Sequence, residues 1–111
     1  FMTTVIFRKT RQGEYRELEC RGHAGNAESG RNIVCAALSV LVINTVNSLE
    51  ELCGLPIKPK KEDKERGLLV FRFPEGMDER AVLLLDSLAL GCVSIEKEYG
   101  KKYCKVKFEE V

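Results

Sequence analysis

The segment Ile33–Leu52 limits the possible folds of this chain most strongly, because nearly every residue in its first half is apolar and its second half is amphipathic. Asn32 precedes the segment as a suitable N-cap, and Cys53-Gly54 and Pro56 follow it as a stop signal for a helix. A helix that is apolar on most sides has to be covered by other elements of the fold. The segment therefore predicts a central, largely buried helix.

Four other segments have the alternation or the apolar, β-branched content that is typical of β-strands. The first two are separated by the turn signal Gln12-Gly13 and should pair as a hairpin. The third is apolar on both faces except at Arg72, which is typical of an inner strand. The predicted strands are Thr3–Lys9, Tyr15–Gly22, Leu68–Phe73 and Tyr103–Glu109.

The rest of the chain supplies a connector and a second helix. Leu55–Arg66 contains two prolines and charges of both signs, so it predicts a solvated connector. From Asp78 to about Glu98 apolar residues recur at steps of three and four, which predicts a helix that continues through Gly91. The length of 111 residues fits one domain, residues 1–111. We interpret Met2 as the natural first residue and Phe1 as a foreign addition.

The order of the predicted elements is strand, strand, helix, strand, helix, strand. This order favours an α+β fold, a two-layer sandwich in which a four-stranded sheet carries both helices on one face. The strands hold apolar side chains that one helical layer would not cover completely, which predicts a symmetric homodimer formed through the sheet or its edge. Those side chains are Val5, Phe7, Phe71 and Phe73.

The charge and hydropathy of the chain argue against nucleic-acid binding, a membrane span and secretion. The net charge of +1 comes from 18 basic and 17 acidic residues, so no basic field is available to bind nucleic acid. The apolar run Ile33–Ile43 is too short to span a membrane, which takes about 20 residues, and the N-terminus has no signal-peptide pattern. We therefore expect a cytoplasmic protein that binds neither nucleic acid nor membrane.

The five cysteines do not form a pattern for disulfides or zinc, because no Cys-x-x-Cys pair is present and the chain has one histidine. We expect reduced thiols and no metal or cofactor. Four of the cysteines are interpreted as small buried hydrophobic residues. They are Cys20, Cys53, Cys92 and Cys104.

Cys35 is different because of its position. It follows the only histidine, His23, after a loop rich in Gly, Asn and Ser. If Asn32 caps the helix, Cys35 lies in the first turn, where free backbone N–H groups and the helix dipole favour the thiolate. An imidazolium nearby would favour the thiolate further. The spacing therefore predicts an ion pair of the two residues if the loop folds back.

The segment Ala24–Arg31 has no apolar periodicity and is bracketed by glycines, so we predict a loop that closes over a substrate. Without substrate we expect it to be open, with His23 and Cys35 beyond hydrogen-bond distance.

Two short motifs also carry a family resemblance. Gly22-His-Ala-Gly25, followed by Gly30-Arg-Asn-Ile-Val-Cys-Ala-Ala-Leu-Ser39, resembles the signature of the ribosomal-processing cysteine protease family Prp, which includes the YsxB-type proteins. More loosely, the resemblance extends over the whole chain. It implies a catalytic dyad of Cys35 as nucleophile and His23 as general acid and base. It also implies a substrate, a protein of the large ribosomal subunit made with an N-terminal extension, and a substrate loop with Gly22, Ala24, Gly25, Asn26 and Gly30.

The implied chemistry is amide hydrolysis through an acyl-enzyme. First-turn backbone N–H groups near Cys35 are natural oxyanion donors. The family usually has Asp where this chain has Asn32, which can still cap a helix and accept a hydrogen bond but brings no charge. Ser39, one turn after Cys35, is a second supporting residue, although a serine at a helix packing site explains it equally well.

Two other interpretations stay open at the level of sequence. One is a ribosome-associated binding module without catalysis, in which Cys35 is a core residue. The other is a thiol redox or metal protein, for which no resolving cysteine or second histidine is visible. Selective alkylation of Cys35 at neutral pH would favour the protease over both.

Overall fold

Five β-strands and two α-helices make up the described chain. The computed structural model describes residues 3–22, 29–63 and 67–111. The strands and helices, in chain order, are β1 (Thr3–Lys9), β2 (Tyr15–Arg21), α1 (Ser29–Glu51), β3 (Lys58–Asp63), β4 (Leu68–Arg72), α2 (Glu79–Tyr99) and β5 (Cys104–Glu110).

The strands form one mixed sheet in the order β3-β4-β2-β1-β5. β1 pairs with β2 antiparallel and with β5 parallel, and β4 pairs antiparallel with β2 and with β3. The predicted hairpin of the first two strands and the inner position of β4 are therefore confirmed. The prediction of four strands was wrong, since β3 is a fifth strand and the element order is ββαββαβ.

β3 lies at the edge of the sheet, and its sequence Lys-Pro-Lys-Lys-Glu-Asp explains why it was interpreted as a connector. Charged residues and proline are common in edge strands because they prevent pairing with other chains. The register between β3 and β4 shifts between Pro59 and Lys61. A strand that buries no apolar face has no alternating pattern to detect.

One hydrophobic core lies between the sheet and both helices. It includes Val34, Leu38, Val42, Val46 and Leu49 of α1 and Ala81, Leu85, Leu88, Ala89 and Cys92 of α2, together with inward residues of the strands. The prediction of α+β architecture is confirmed in this coarse sense. The four side chains that suggested a homodimer, Val5, Phe7, Phe71 and Phe73, are 0–4% exposed in the single chain. The reason given for a dimer through the sheet therefore does not hold.

The opposite face of the sheet is polar. Arg8 contacts Glu19 at 2.9 Å and Glu109 at 3.1 Å, and Lys60 donates to Glu17 at 2.7 Å. Ile6 is fully buried but does not belong to the core, because it alternates with the inward residues of β1. The stems of long charged side chains can cover such a residue while their charged ends stay in water.

α2 is capped and packs closely on α1. Asp78 is the N-cap and accepts hydrogen bonds from the backbone N–H groups of Arg80 and Ala81. The helix continues through Gly91, as predicted. A Cβ atom at this position would lie 3.1 Å from Leu41 Cδ1. The glycine therefore permits a close crossing of the two helices.

α1 is also the one described helix that is long and apolar enough, over Ile33–Glu51, to cross a membrane by length and composition. The apolar stretch is thus longer than the predicted Ile33–Ile43. The core helix of a soluble protein has the same profile, and 39% of this stretch is buried inside the fold. Such a helix is weak evidence for a membrane span.

Candidate active site

The start of α1 differs from the prediction and changes the surroundings of Cys35. α1 begins at Ser29, so Gly30 and Asn32 lie inside the helix and Asn32 is not its N-cap. Gly30 disfavours a helix by about 1 kcal/mol relative to alanine, which is why the sequence pattern placed the start later. Packing of the apolar residues that follow gives the helix more stability than its propensities indicate.

Cys35 consequently lies in the second turn of α1 rather than in the first. The backbone N–H at this depth bonds to the carbonyl four residues earlier, and the dipole effect is concentrated in the first turn. Among the described residues, the free N–H groups of α1 belong to residues 29–31. Two predictions are therefore wrong. Cys35 does not lie in the first turn, where a helix terminus would activate it, and the first-turn N–H groups expected as oxyanion donors do not lie in the same turn as Cys35.

The Cys35 sulfur is in hydrogen-bond contact with the side chain of Thr3. Thr3 Oγ1 lies 2.9 Å from Cys35 Sγ, and either atom can be the donor of this hydrogen bond. Both residues are buried, with 2% of Thr3 and 9% of Cys35 exposed. Sequence analysis missed Thr3, because the two residues are far apart in the chain. The available signal was a polar residue at an inward position of β1.

A cleft of about 400 Å³ lies beside this pair, between α1 and the sheet. Its helical wall consists of Leu38, Ser39, Val42 and Ile43, and its sheet wall of Thr3, Val5, Cys20, Leu68 and Leu69, with Glu62, Asp63 and Gly67 at the β3–β4 end. Thr3 both lines the cleft and contacts Cys35, so one side chain separates the thiol from the cleft lining. Most of the lining is apolar, as in typical ligand sites of this size.

The connection from β2 to α1 begins next to the pair of Thr3 and Cys35. Arg21 at the end of β2 pairs with Thr4, the neighbour of Thr3. Gly22 follows with a φ of 83°, a conformation that glycine adopts readily. His23, Ala24, Gly25 and Asn26 lie outside the described residues, as does the predicted opening of the loop. Ser29, Gly30 and Arg31, predicted as part of that loop, belong to α1.

The other cysteines are poor nucleophiles where the structure resolves their surroundings. Burial raises the pKa of Cys20 and of Cys92 to about 12, and burial followed by the charge of Glu96 raises the pKa of Cys104 to about 11. Cys92 and Cys104 are fully buried, as expected of small hydrophobic residues, whereas Cys20 and Cys53 are only partly buried. The thiols of Cys20, Cys92 and Cys104 therefore stay protonated at neutral pH.

Metal chemistry has no support in the described segments. Among residues 3–22, 29–63 and 67–111, no group of three His, Cys, Asp or Glu side chains is arranged to hold an ion.

The chain matches known proteins over most of its length. The family model for cysteine protease Prp matches residues 2–105. The ribosomal processing cysteine protease Prp of Bacillus subtilis is 31% identical over 103 residues, which cover 88% of this chain and 90% of that protein.

Two solved structures have the same fold. The ribosomal processing protease Prp from S. aureus in complex with a substrate peptide has a TM-score of 0.87 at 24% identity, over 97% of this chain and all of that chain (100%). The same S. aureus protease with a covalently linked product peptide has a TM-score of 0.83 at 25% identity, with coverage of 97% and 100%.

Proposed function

The chain belongs to the cysteine protease Prp family, and we propose that it is an endopeptidase that removes the N-terminal extension from a protein of the large ribosomal subunit. The observation that carries this proposal is the position of Cys35, whose sulfur contacts a residue of an apolar cleft. The name of the B. subtilis relative, at 31% identity, supports ribosomal processing as the role.

Cys35 is the proposed nucleophile. Its thiolate sulfur attacks the carbonyl carbon of the scissile peptide bond and forms a tetrahedral intermediate. The C–N bond then breaks, the leaving amine takes a proton, and the N-terminal part of the substrate stays attached to Cys35 as a thioester. Water hydrolyses the thioester and restores the thiol. The covalently linked product peptide named for the S. aureus protease is consistent with a covalent step of this kind.

His23 is the proposed general acid and base. As the only histidine it is the one side chain in this sequence whose ordinary pKa lies near neutrality. It follows Gly22 in the sequence, and the preceding strand β2 ends at Arg21, which pairs with Thr4, the neighbour of the cleft residue Thr3. In the proposed cycle it gives its proton to the leaving amine and then takes a proton from the attacking water.

The cleft is the proposed binding site for the residues of the extension. Its apolar walls on α1 and on β4 suit apolar side chains, and Glu62 and Asp63 at the β3–β4 end suit a basic residue of the same peptide. Ser39 lines the cleft one turn after Cys35 and is proposed to contact substrate. Gly22, Ala24, Gly25 and Asn26 keep their proposed roles in the substrate loop. Gly30 and Asn32 lie inside α1, so Gly30 is no longer proposed as a loop residue, and Asn32 keeps only its proposed role as a hydrogen-bond acceptor.

Three further sequence predictions stay predictions. They are a cytoplasmic location, a homodimer, and the absence of direct binding to nucleic acid or membrane.

A direct test incubates the protein with a large-subunit ribosomal protein that carries its N-terminal extension, and follows intact mass. We expect one new mass, that of the substrate without the extension. Cys35→Ser and His23→Ala should each abolish this product while the far-UV circular dichroism stays unchanged. Cys53→Ser is the matched control, because Cys53 is partly buried beyond the other end of α1 and should not affect cleavage. Cleavage at the wild-type rate by Cys35→Ser would refute the assignment.

One observation favours the second candidate, a binding module without catalysis: only 9% of Cys35 is exposed, which also suits a thiol of the core. The two functions differ in thiol reactivity. A protease should show iodoacetamide labelling of Cys35 at neutral pH much faster than labelling of Cys92 and Cys104, and a binding module should not.

A further inference from the structure

We propose that Thr3 is a positioning residue for the nucleophile: its hydroxyl holds the Cys35 sulfur next to a wall of the cleft and donates a hydrogen bond to the thiolate. This inference rests on the proposed role of Cys35. It concerns a residue outside the motifs from Gly22 to Ser39 that carry the family resemblance.

The position of the Thr3 hydroxyl is well fixed. Thr3 is the first residue of β1, where it lies opposite Cys104 of β5, and its backbone N–H donates to the Tyr103 carbonyl at 3.2 Å. A β-branched side chain has few χ1 rotamers, so a fixed backbone also fixes the hydroxyl. The hydrogen bond of 2.9 Å between Oγ1 and Sγ therefore joins β1 to α1.

Which atom donates in the hydrogen bond between Thr3 and Cys35 depends on whether the thiol is protonated. A neutral thiol can donate to Thr3 Oγ1 or accept from it, but a thiolate has no proton and can only accept. Thr3 is 2% exposed, and within the described part of the chain the sulfur is the one hydrogen-bond partner recorded for its hydroxyl. A donor that bonds better to the charged form favours that form, and a buried charge needs such a donor.

Other ionisable groups around Cys35 do not supply this stabilisation in the described segments. Cys104 faces it from β5, and since the pKa of Cys104 is raised to about 11 this thiol is neutral at neutral pH. Cys20 of β2 lines the same cleft with a pKa raised to about 12. Glu62 and Asp63 of β3 line its far end, and their negative charges would oppose a thiolate rather than favour it. The Thr3 hydroxyl is therefore the local donor that the structure offers.

The test replaces Thr3 by valine, which has nearly the same shape and no hydroxyl, and by serine, which keeps the hydroxyl. Two properties are measured for each variant: kcat/KM for the extended ribosomal protein, and the rate of iodoacetamide alkylation of Cys35 from pH 5 to pH 10. Thr3→Ala is a second variant without the hydroxyl in case valine perturbs packing. Circular dichroism confirms that the compared proteins are folded.

We expect Thr3→Val to lower kcat by about tenfold to a hundredfold with little change in KM, as loss of one hydrogen bond to a charged group implies. The alkylation profile of Thr3→Val should move to higher pH, and Thr3→Ser should restore both properties in large part. A residue that only packs would not move the pH profile.

Two results would overturn the inference. An unchanged alkylation profile in Thr3→Val and Thr3→Ala would show that the hydroxyl does not stabilise the thiolate. Faster cleavage by Thr3→Val would show that Thr3 instead holds the sulfur away from substrate. Alkylation needs no substrate, so it tests Thr3 even if the wild-type protein fails to cleave. In that case Cys35→Ser and the wild type would also be equally inactive, and the proposed function would fail separately.

Discussion

The hydrogen bond between Tyr15 and Asp86 should contribute to stability without affecting the site. Tyr15 is 2% exposed at the start of β2, and its hydroxyl donates to Asp86 Oδ1 of α2 at 2.6 Å. Tyr15→Phe removes this hydrogen bond and keeps the ring, its edge contact with Phe7 at 6.2 Å between centroids, and its contact with the Lys9 ammonium at 4.5 Å. The substitution therefore isolates one hydrogen bond to a charged group.

The expected loss is about 1–2 kcal/mol in the free energy of unfolding, near the lower end for bonds to charged groups, because Asp86 is exposed and water can replace the lost donor. For a chain of 111 residues this corresponds to a Tm lower by about 4–9 °C. Thermal and urea unfolding at pH 7 measure it. Asp86→Asn keeps an acceptor at the same place and should lose less.

The pH dependence gives a sharper criterion. Burial, and then the hydrogen bond to Asp86, raise the pKa of Tyr15 well above its ordinary value. The hydrogen bond therefore stabilises the protein fully below about pH 10, where unfolded tyrosine is still protonated. Above that pH the unfolded wild type ionises Tyr15 while the folded state does not. The advantage of the wild type over Tyr15→Phe should then shrink by about 1.4 kcal/mol per pH unit.

Cleavage activity should stay within about twofold of the wild type in Tyr15→Phe, because Tyr15 lies at the end of β2 opposite to Cys20, which lines the cleft. Equal stability of the two proteins at pH 7, or a difference that does not change between pH 8 and pH 11, would refute the reasoning.

Two other substitutions test the cleft and the cap of α2. Ile43→Trp should narrow the cleft and raise KM by at least about tenfold, with Cys35 alkylation unchanged. Val40→Trp on the same helix is the control and should behave as the wild type, because Val40 is 67% exposed and does not line the cleft. Equal effects of the two variants would argue against this binding site. Asp78→Ala should lower Tm at pH 7. Hydrogen bonds from Ala81 and Arg80 lower the pKa of Asp78, so the difference should start to shrink below about pH 4 and be lost at the lower pH at which folded Asp78 takes up a proton. A Tm difference that persists at pH 2 would contradict this cap.

The sequence predicted the elements that bury an apolar face. α2 was found from its apolar steps, with Gly91 inside it, and β1 and β2 from their alternation. β3 was not predicted, because an edge strand of charged residues buries no apolar face. It is recognised as a strand only by its backbone pairing with β4. No local pattern encodes such pairing.

At the site, the sequence pointed to Cys35 through its place after a glycine-rich loop, but it misplaced the start of α1. Local signals put that start after Gly30, whereas packing of the apolar face extends the helix to Ser29. Thr3 was missed because its contact with Cys35 joins the first described strand to a helix far along the chain. Contacts of this kind depend on the tertiary fold, and the sequence showed only that Thr3 is a polar residue on the apolar face of β1.

The most direct test of the central claim is to find which atom of the protein reacts with a substrate-like electrophile. A peptide that ends at the cleavage site, with a chloromethyl ketone in place of the scissile bond, is incubated with the protein at neutral pH. Intact mass gives the number of peptides bound, and peptide mapping gives the modified residue. A peptide of scrambled sequence with the same reactive group is the control.

The account predicts one peptide per chain, attached to Cys35 Sγ as a thioether, with loss of cleavage in proportion to labelling. His23→Ala and the scrambled peptide should each slow this reaction at least about tenfold. Modification of another cysteine, or full cleavage activity in a protein whose Cys35 is completely labelled, would contradict it.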